Sequence, residues 1–322
     1  MTATRVRSPR ASAPPCLAPA LLALCAIAIP SCAAAHEGDA SSMQWAPGAT
    51  RHGQFTLAAQ VLHTGSLILD DGTIPGRTET DTQLVRAGVD WKFNPHWELH
   101  ASVPFIMKKS NGGAGAHLLA PLDVPHPEAT FLDDGRYHSG WQDWSLGVSY
   151  HSTWRGFLVE SRATLGVPTH DYSFYGNAAA GQDLNRLDLG IDLTRQPLGS
   201  NFYYGFGYSY VLIEEVRGVN MDKNHWRVQG GWFANDKLSM RVFANGSIGK
   251  GRDSSDFIGD RHSEDWYHHD QTSRHNYAIA GVGAWWHLNA DYSVGFNAAT
   301  MVWGRTVHDL KRAYEVQLVR NF

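Results

Sequence analysis

The sequence is poor in cysteine, in long apolar runs and in charge. Its three cysteines, Cys16, Cys25 and Cys32, all lie within the first 32 residues, so the rest of the chain cannot be a disulfide-stapled domain. Beyond that N-terminal stretch no run of 18 apolar residues occurs, which excludes a transmembrane helix. Charged residues make up 18% of the chain, its formal net charge is −4, and there is no basic stripe, so nucleic acid is not expected as a partner.

The N-terminus has the pattern of a secretory signal peptide. Three arginines in the first ten residues precede an apolar stretch, Leu17–Ile29, and small residues at Ala33–Ala35 offer a cleavage site. We therefore predict a signal peptide at residues 1–35 and a mature, cysteine-free chain that begins at His36. A retained membrane anchor and a lipoprotein modified at Cys32 are the two alternatives.

Apolar and polar residues alternate along most of the mature chain. In the stretch 84–93, Val85 and Val89 fall on one face and Arg86 and Asp90 on the other, a period of two that is typical of a strand. The pattern recurs to give 12 strands, joined alternately by short turns and long polar loops. We predict an all-β fold, a single antiparallel up-and-down transmembrane β-barrel of about 12 strands over residues 54–322, with residues 36–53 as a periplasmic segment. A soluble β-protein is the alternative.

The last strand resembles the C-terminal strand of bacterial outer-membrane barrels. Tyr314, Val316, Leu318 and Phe322 place apolar residues at alternate positions before a terminal phenylalanine, whereas Arg320 departs from the pattern. The resemblance implies an assembly signal that the barrel assembly machinery recognises. It also implies a location in the outer membrane of a Gram-negative bacterium, among lipid and lipopolysaccharide.

Three shorter stretches carry a narrower resemblance. Residues 140–150 (GWQDWSLGVSY), 165–171 (LGVPTHD) and 181–193 (GQDLNRLDLGIDL) are similar to the meta-pathway phenol-degradation or transporter-like barrel family. This resemblance implies transport, and its name suggests an aromatic or fatty solute. The polar inner faces of the predicted strands favour a polar or ionic solute instead.

Charged and histidine side chains of both signs fall on the predicted inner faces. These candidate pore-lining residues are Arg86, Asp90, Lys92, Glu98, His100, Asp143, His151, Glu160, Arg162, Asp188, Asp192, Arg227, Arg241 and Glu315. One interpretation is a charged pore that sets selectivity, and the other is a paired network that fills the lumen. We predict an outer-membrane channel or transporter that passes or binds a small solute.

Histidine is concentrated in one predicted loop. His262, His268, His269 and His275 lie among carboxylates in the stretch 260–275, and imidazole with carboxylate suits Zn, Cu or Ni. The spacing matches no fixed metal motif, so a solvated loop without metal is the alternative and no other cofactor is expected.

Two further functions are alternatives to transport. Some outer-membrane barrels hydrolyse lipid with a Ser/His pair, but this sequence has no nucleophile motif, and we expect no enzyme. The other alternative is a closed structural barrel whose long loops bind partners.

Overall fold

The computed structural model describes residues 52–74, 78–111, 132–253, 256 and 263–322. The predicted signal peptide and nearly all of the segment 36–53 lie outside these ranges. The strands are β1 Gly53–Ile68, β2 Thr80–Lys92, β3 Trp97–Ser110, β4 Tyr137–Trp141, β5 Trp144–Trp154, β6 Phe157–Val167, β7 Arg186–Arg195, β8 Phe202–Ile213, β9 Lys223–Phe233, β10 Leu238–Gly249, β11 Asn276–His287, β12 Tyr292–Arg305 and β13 Val307–Asn321. Two four-residue helices, α1 Glu264–Tyr267 and α2 His269–Thr272, lie between β10 and β11.

The strands close into a barrel with a wall of 12 strands. Short β4 and longer β5 both pair with β3 and together make one wall strand, interrupted at Gln142 and Asp143. Each strand pairs antiparallel with its neighbours, and β1 pairs with both β2 and β13. The predicted closed antiparallel barrel is confirmed. Closure pairs β1 with both β2 and β13, so the first and last strands are not left as open edges.

The seam between β1 and β13 runs from Gln54 opposite Asn321 to Ile68 opposite Val307. At one end Gly53 and Phe322 exchange backbone hydrogen bonds of 3.1 and 3.0 Å, and the Phe322 ring lies 5.9 Å from that of Trp91. The wall is therefore paired through the last residue of the chain.

The burial of alternate residues confirms which face of each strand points outward. Val85 and Val89 are each 39% exposed, whereas Arg86 between them is 8% exposed. Exposed aromatic side chains lie towards both rims, as interfacial residues of membrane barrels do. Tyr137, Trp141 and Trp303 lie towards one rim, and a larger group lies at the other. The larger group consists of Trp91, Phe93, Trp97, Tyr150, Trp154, Phe202, Trp232, Trp286, Tyr292 and Phe322.

The two rims differ in their connections. The rim with the larger aromatic group carries the short turns and is called the short-turn rim below. At the β5–β6 turn, Arg155 and Gly156 have φ angles of 50° and 81°, which corresponds to the two-residue hairpin turn favoured by strand twist. The opposite end is the long-loop rim.

Long loops pack together at the long-loop rim. The Asp133 carboxylate, 1% exposed, accepts hydrogen bonds from the backbone amides of Asn177 and Ala178 at 3.1 and 2.9 Å. Asp270 of α2 accepts one from the Gly176 amide at 2.7 Å. We call residues 132–136, 168–185 and 263–275 the loop cap. Within the described ranges, no helix is long and apolar enough to span a membrane.

The assigned faces predict opposite outcomes at two adjacent residues. Val89→Arg places a charge on the exposed apolar face, close to the girdle residue Trp91, and should destabilise the barrel towards the lower end of about 2–4 kcal/mol. Gly88→Ser is the control, because a Cβ at Gly88 meets Ser102 Cβ at 3.5 Å, an ordinary contact. Urea unfolding of both variants in lipid measures the difference. Equal stability would show that the faces are exchanged.

Candidate functional site in the barrel lumen

Many of the charged side chains predicted to face inward are buried and contact one another, whereas Lys92 at the end of β2 is exposed. Arg86, Asp188, Asp192 and Glu315 are 8%, 8%, 3% and 9% exposed. Buried charges need partners, because an isolated ion in a low-dielectric interior loses its hydration without compensation. The partners of these side chains therefore decide what the lumen can do.

The first network centres on Asp192 of β7. Its carboxylate accepts hydrogen bonds from Arg162 of β6 at 2.5 Å and from Arg227 of β9 at 2.5 and 2.7 Å. Gly207 on β8 lies between β7 and β9, and a Cβ there would stand 2.1 Å from Asp192 Oδ1. The absence of a side chain at Gly207 lets one carboxylate bridge two guanidinium groups across a strand.

The second network centres on Glu315 of β13. Its carboxylate accepts hydrogen bonds from Gln60, Gln317 and Asn297, the last at 2.8 Å, and Arg86 lies 3.9 Å away. These side chains come from four strands, so the network ties together the wall on both sides of the barrel seam.

The third network crosses from β2 to β6. His100 Nδ1 lies 2.7 Å from Asp90 Oδ1, and His100 Nε2 lies 2.7 Å from Ser149 Oγ. The Ser149 hydroxyl donates to Glu160 at 2.9 Å. The order Asp, His, Ser is that of a hydrolase triad. The sequence did not reveal it, because strand register rather than a local motif brings these residues together.

The hydrogen bonds of this network differ from those of a triad. The Ser149 hydroxyl donates its proton to Glu160, whereas the serine of a triad donates to the histidine. Ser149 is also 0% exposed. The arrangement is therefore a charged hydrogen-bond network rather than an accessible nucleophile.

Beside this network a further carboxylate is paired. Glu98 Oε2 lies 3.1 Å from His151 Nε2 and 3.6 Å from Lys92 Nζ.

At the interruption of the wall strand, Asp143 accepts hydrogen bonds from Arg186 at 2.9 Å and from Tyr172 of the loop cap. Burial, together with the nearby Asp143 charge, raises the pKa of Tyr172. Tyr172 therefore stays protonated and can donate.

Among the loop histidines predicted as metal ligands, His268 and His269 each hydrogen-bond a different group. His262 lies outside the described residues. His268 Nδ1 lies 2.7 Å from Gln271 Oε1, and His269 Nδ1 lies 2.6 Å from the Trp266 carbonyl. Burial, with the Lys223 charge, lowers the pKa of His275 to about 3. Metal binding by this loop stays a prediction, but the described part of the segment is packed rather than a solvated loop.

Three side chains of the barrel wall have ligand atoms close enough together to share a metal ion. Ligand atoms of Asp90, Glu98 and His100 all lie within 4.8 Å of one another, the one such group in the part of the chain that the structure describes. His100 and Asp90 already hydrogen-bond each other, and Lys92 adds a cation beside Glu98. The group is thus satisfied as an ion-pair network.

Apolar residues occupy part of the lumen near the long-loop rim. Leu62, Ile279 and Leu310, from β1, β11 and β13, belong to one buried cluster that also contains Tyr277. Some inward positions therefore pack against each other rather than against polar groups. Paired ions lie between these apolar residues and the short-turn rim, and both interpretations, a charged pore and a filled lumen, stay predictions. Conduction past these residues stays a prediction.

The short-turn half of the lumen contains a cavity of about 410 Å³. Inward residues of β6 to β11 and the β7–β8 turn line it, with Arg241 of β10 among them. Sequence reasoning placed Arg241 in the lumen but found no cavity, because the space depends on how large and small side chains from six strands meet.

Comparison with known proteins supports the fold. No family model matches the chain, and no curated protein matches it. The structure is similar to the COG4313 outer membrane channel from Pseudomonas putida F1, with a TM-score of 0.61 and 11% identity over 85% of this chain and 97% of that chain. The NanC porin has a TM-score of 0.46 and 9% identity over 83% of this chain and 98% of that chain. The TodX deltaS2S3 mutant monoaromatic hydrocarbon channel has a TM-score of 0.46 and 11% identity over 85% of this chain and 91% of that chain.

The similarity to the COG4313 outer membrane channel confirms the β-barrel fold of the chain. The narrower resemblance to the phenol-degradation or transporter-like family stays a prediction.

The Asp192 network yields a test of stability. Asp192→Asn leaves Arg162 and Arg227 without their shared counter-charge and should destabilise the barrel by about 3–5 kcal/mol. The control is Asp265→Asn, which removes a half-exposed carboxylate that also pairs with two arginines, Arg217 and Arg252, each at 2.9 Å, and should cost less than about 1 kcal/mol. Urea midpoints of the refolded proteins measure both. Similar costs would mean that the network does not hold the wall together.

Proposed function

We propose that the protein is an outer-membrane channel for small solutes in a Gram-negative bacterium. The observation that carries this proposal is the closed barrel itself, with exposed apolar side chains and aromatic rims outside and charged side chains within. Such a wall suits lipid on one side and a polar passage on the other. The similar fold of a protein described as an outer membrane channel supports it.

The channel is narrow and gated. Paired ions fill its middle, and the loop cap packs at the long-loop rim, which faces the cell exterior in barrels of this plan. Passage of a solute therefore requires the cap to move. Asp133 anchors the cap, because its buried carboxylate holds two backbone amides of the 168–185 loop.

Lipid hydrolysis is the weaker candidate. The Ser–His–Asp arrangement described above has a buried serine on the lumen side, away from lipid, and this serine donates its proton to Glu160. A closed structural barrel is favoured only if the lumen never conducts.

Anchor residues of the loop cap provide the test of gating. Asp133→Ala should free the cap and raise the mean single-channel conductance or open fraction of the refolded protein in a planar lipid bilayer. The matched control is Asp134→Ala, because Asp134 is exposed and accepts only local hydrogen bonds from Arg136 and His138. The folded state of each variant is checked by urea unfolding.

Two results would contradict the proposal. Folded wild-type and Asp133→Ala proteins that both stay silent at all voltages would indicate a closed structural barrel. Equal conductance changes in the Asp133→Ala and Asp134→Ala proteins would show that the cap is not the gate.

The partners proposed for assembly follow from the outward face of β13. We infer that Tyr314, Val316, Leu318 and Phe322 present the signal to the barrel assembly machinery, and that outer-membrane lipid and lipopolysaccharide contact the apolar face. Phe322→Ala should slow insertion into membranes that contain the machinery, while Asn321→Ala should not. The measurement is the rate at which the folded form appears. Unchanged insertion of the Phe322 variant would remove the signal interpretation.

A further inference from the structure

The cavity at the short-turn rim has the size of a small-molecule site. Its volume of about 410 Å³ lies within the roughly 300–1,000 Å³ that is usual for ligand pockets. The β7–β8 turn, at Pro197 and Leu198, forms part of its mouth, and Leu198 is fully exposed. A solute can therefore reach the cavity from the short-turn side without crossing the ion networks.

Aromatic and aliphatic side chains make much of the cavity wall. The rings of Tyr203 and Phe233 lie 5.2 Å apart. Leu158 of β6 also lines the cavity. Trp285 is 5% exposed, and a Cβ on Gly295 would stand 2.5 Å from its ring. Because Gly295 leaves room for the indole in the wall, the cavity has a flat apolar surface that suits a planar, apolar body.

The cavity also has a positive charge and no acidic wall residue. Arg241 lines it and donates to the amide oxygens of Asn297 at 2.9 Å and Gln229 at 3.4 Å. Outside the lining, the Glu315 carboxylate, which accepts from Asn297 at 2.8 Å, attracts the Arg241 charge. Among the lining residues that the structure describes, none is Asp or Glu.

A guanidinium beside aromatic rings recognises a specific chemistry. The planar fork of arginine matches a carboxylate, and the rings offer area for stacking. We propose that this cavity binds a small organic anion with a flat apolar body, of the class of monocyclic aromatic carboxylates. This assignment names the solute class of the channel and rests on the proposed function for its role in transport, although binding itself can be measured separately.

Calorimetric titration of the refolded protein in detergent micelles tests the site, with protein-free micelles as the blank. Benzoate is the probe, benzyl alcohol lacks its charge and acetate lacks its ring. Benzoate should bind about 10- to 100-fold more tightly than either, the range expected for a charge-assisted contact. This comparison uses the wild-type protein, so it holds even where a variant does not fold.

Variants then locate the binding. Arg241→Gln should weaken benzoate binding about 10- to 100-fold and Arg241→Lys by less, because lysine keeps the charge but not the fork. Met240→Leu, which changes the neighbouring outward side chain, should leave the affinity unchanged. Equal binding of benzoate and benzyl alcohol, or full affinity in a folded Arg241→Gln protein, would overturn the proposal.

Conductance and binding separate the two proposals. A conducting barrel that does not bind benzoate would leave the channel function intact and remove this site. A silent barrel that binds benzoate through Arg241 would keep the site and remove the channel.

Discussion

Backbone pairing between β1 and β13 is the constraint on which the rest of the structure depends. In hydrocarbon each unpaired N–H or C=O costs several kcal/mol, and an open sheet would present a row of them. Closing the sheet satisfies these groups, but it also fixes which residues face outward, because the side-chain period of a strand is two. Apolar residues must then occupy every second position along each wall strand, facing outward. The positions between them face inward and form the lumen.

Closure of the sheet also limits the width of the lumen. A 12-stranded barrel is narrow, so inward charges lie close to one another and to residues of distant strands. Asp192 meets Arg162 and Arg227 because Gly207 leaves room between them, and Glu315 collects donors from both sides of the seam. The pairing that makes these charges tolerable also joins neighbouring strands. Side chains that border the lumen therefore stabilise the wall as well.

Period-two alternation was enough to predict the closed barrel, its 12 wall strands and the outward face of β2. It could not predict the interruption at Asp143, where the chain leaves the ladder and the carboxylate meets Arg186 and Tyr172. Nor could it predict the Asp90–His100–Ser149 contact, since the pairing of β3 with β5 follows a long connection. The packed loop cap was also missed, because polar loop composition does not show that Asp133 is buried against backbone amides.

The lumen contains both apolar and charged sections, which bears on the two different solutes that the sequence suggested. Polar inner faces favoured an ionic solute, and the family resemblance suggested an aromatic one. An apolar cluster lies near the long-loop rim, paired ions occupy the middle, and an aromatic cavity with Arg241 lies at the short-turn rim. A hydrophobic solute would find no favourable contact among the paired ions, and a small inorganic ion would gain nothing from the apolar sections. A solute with a charged group on a flat apolar body offers a favourable contact in each section. Hydrogen bonds from Arg241 to Asn297 and from Asn297 to Glu315 connect the cavity to the Glu315 network.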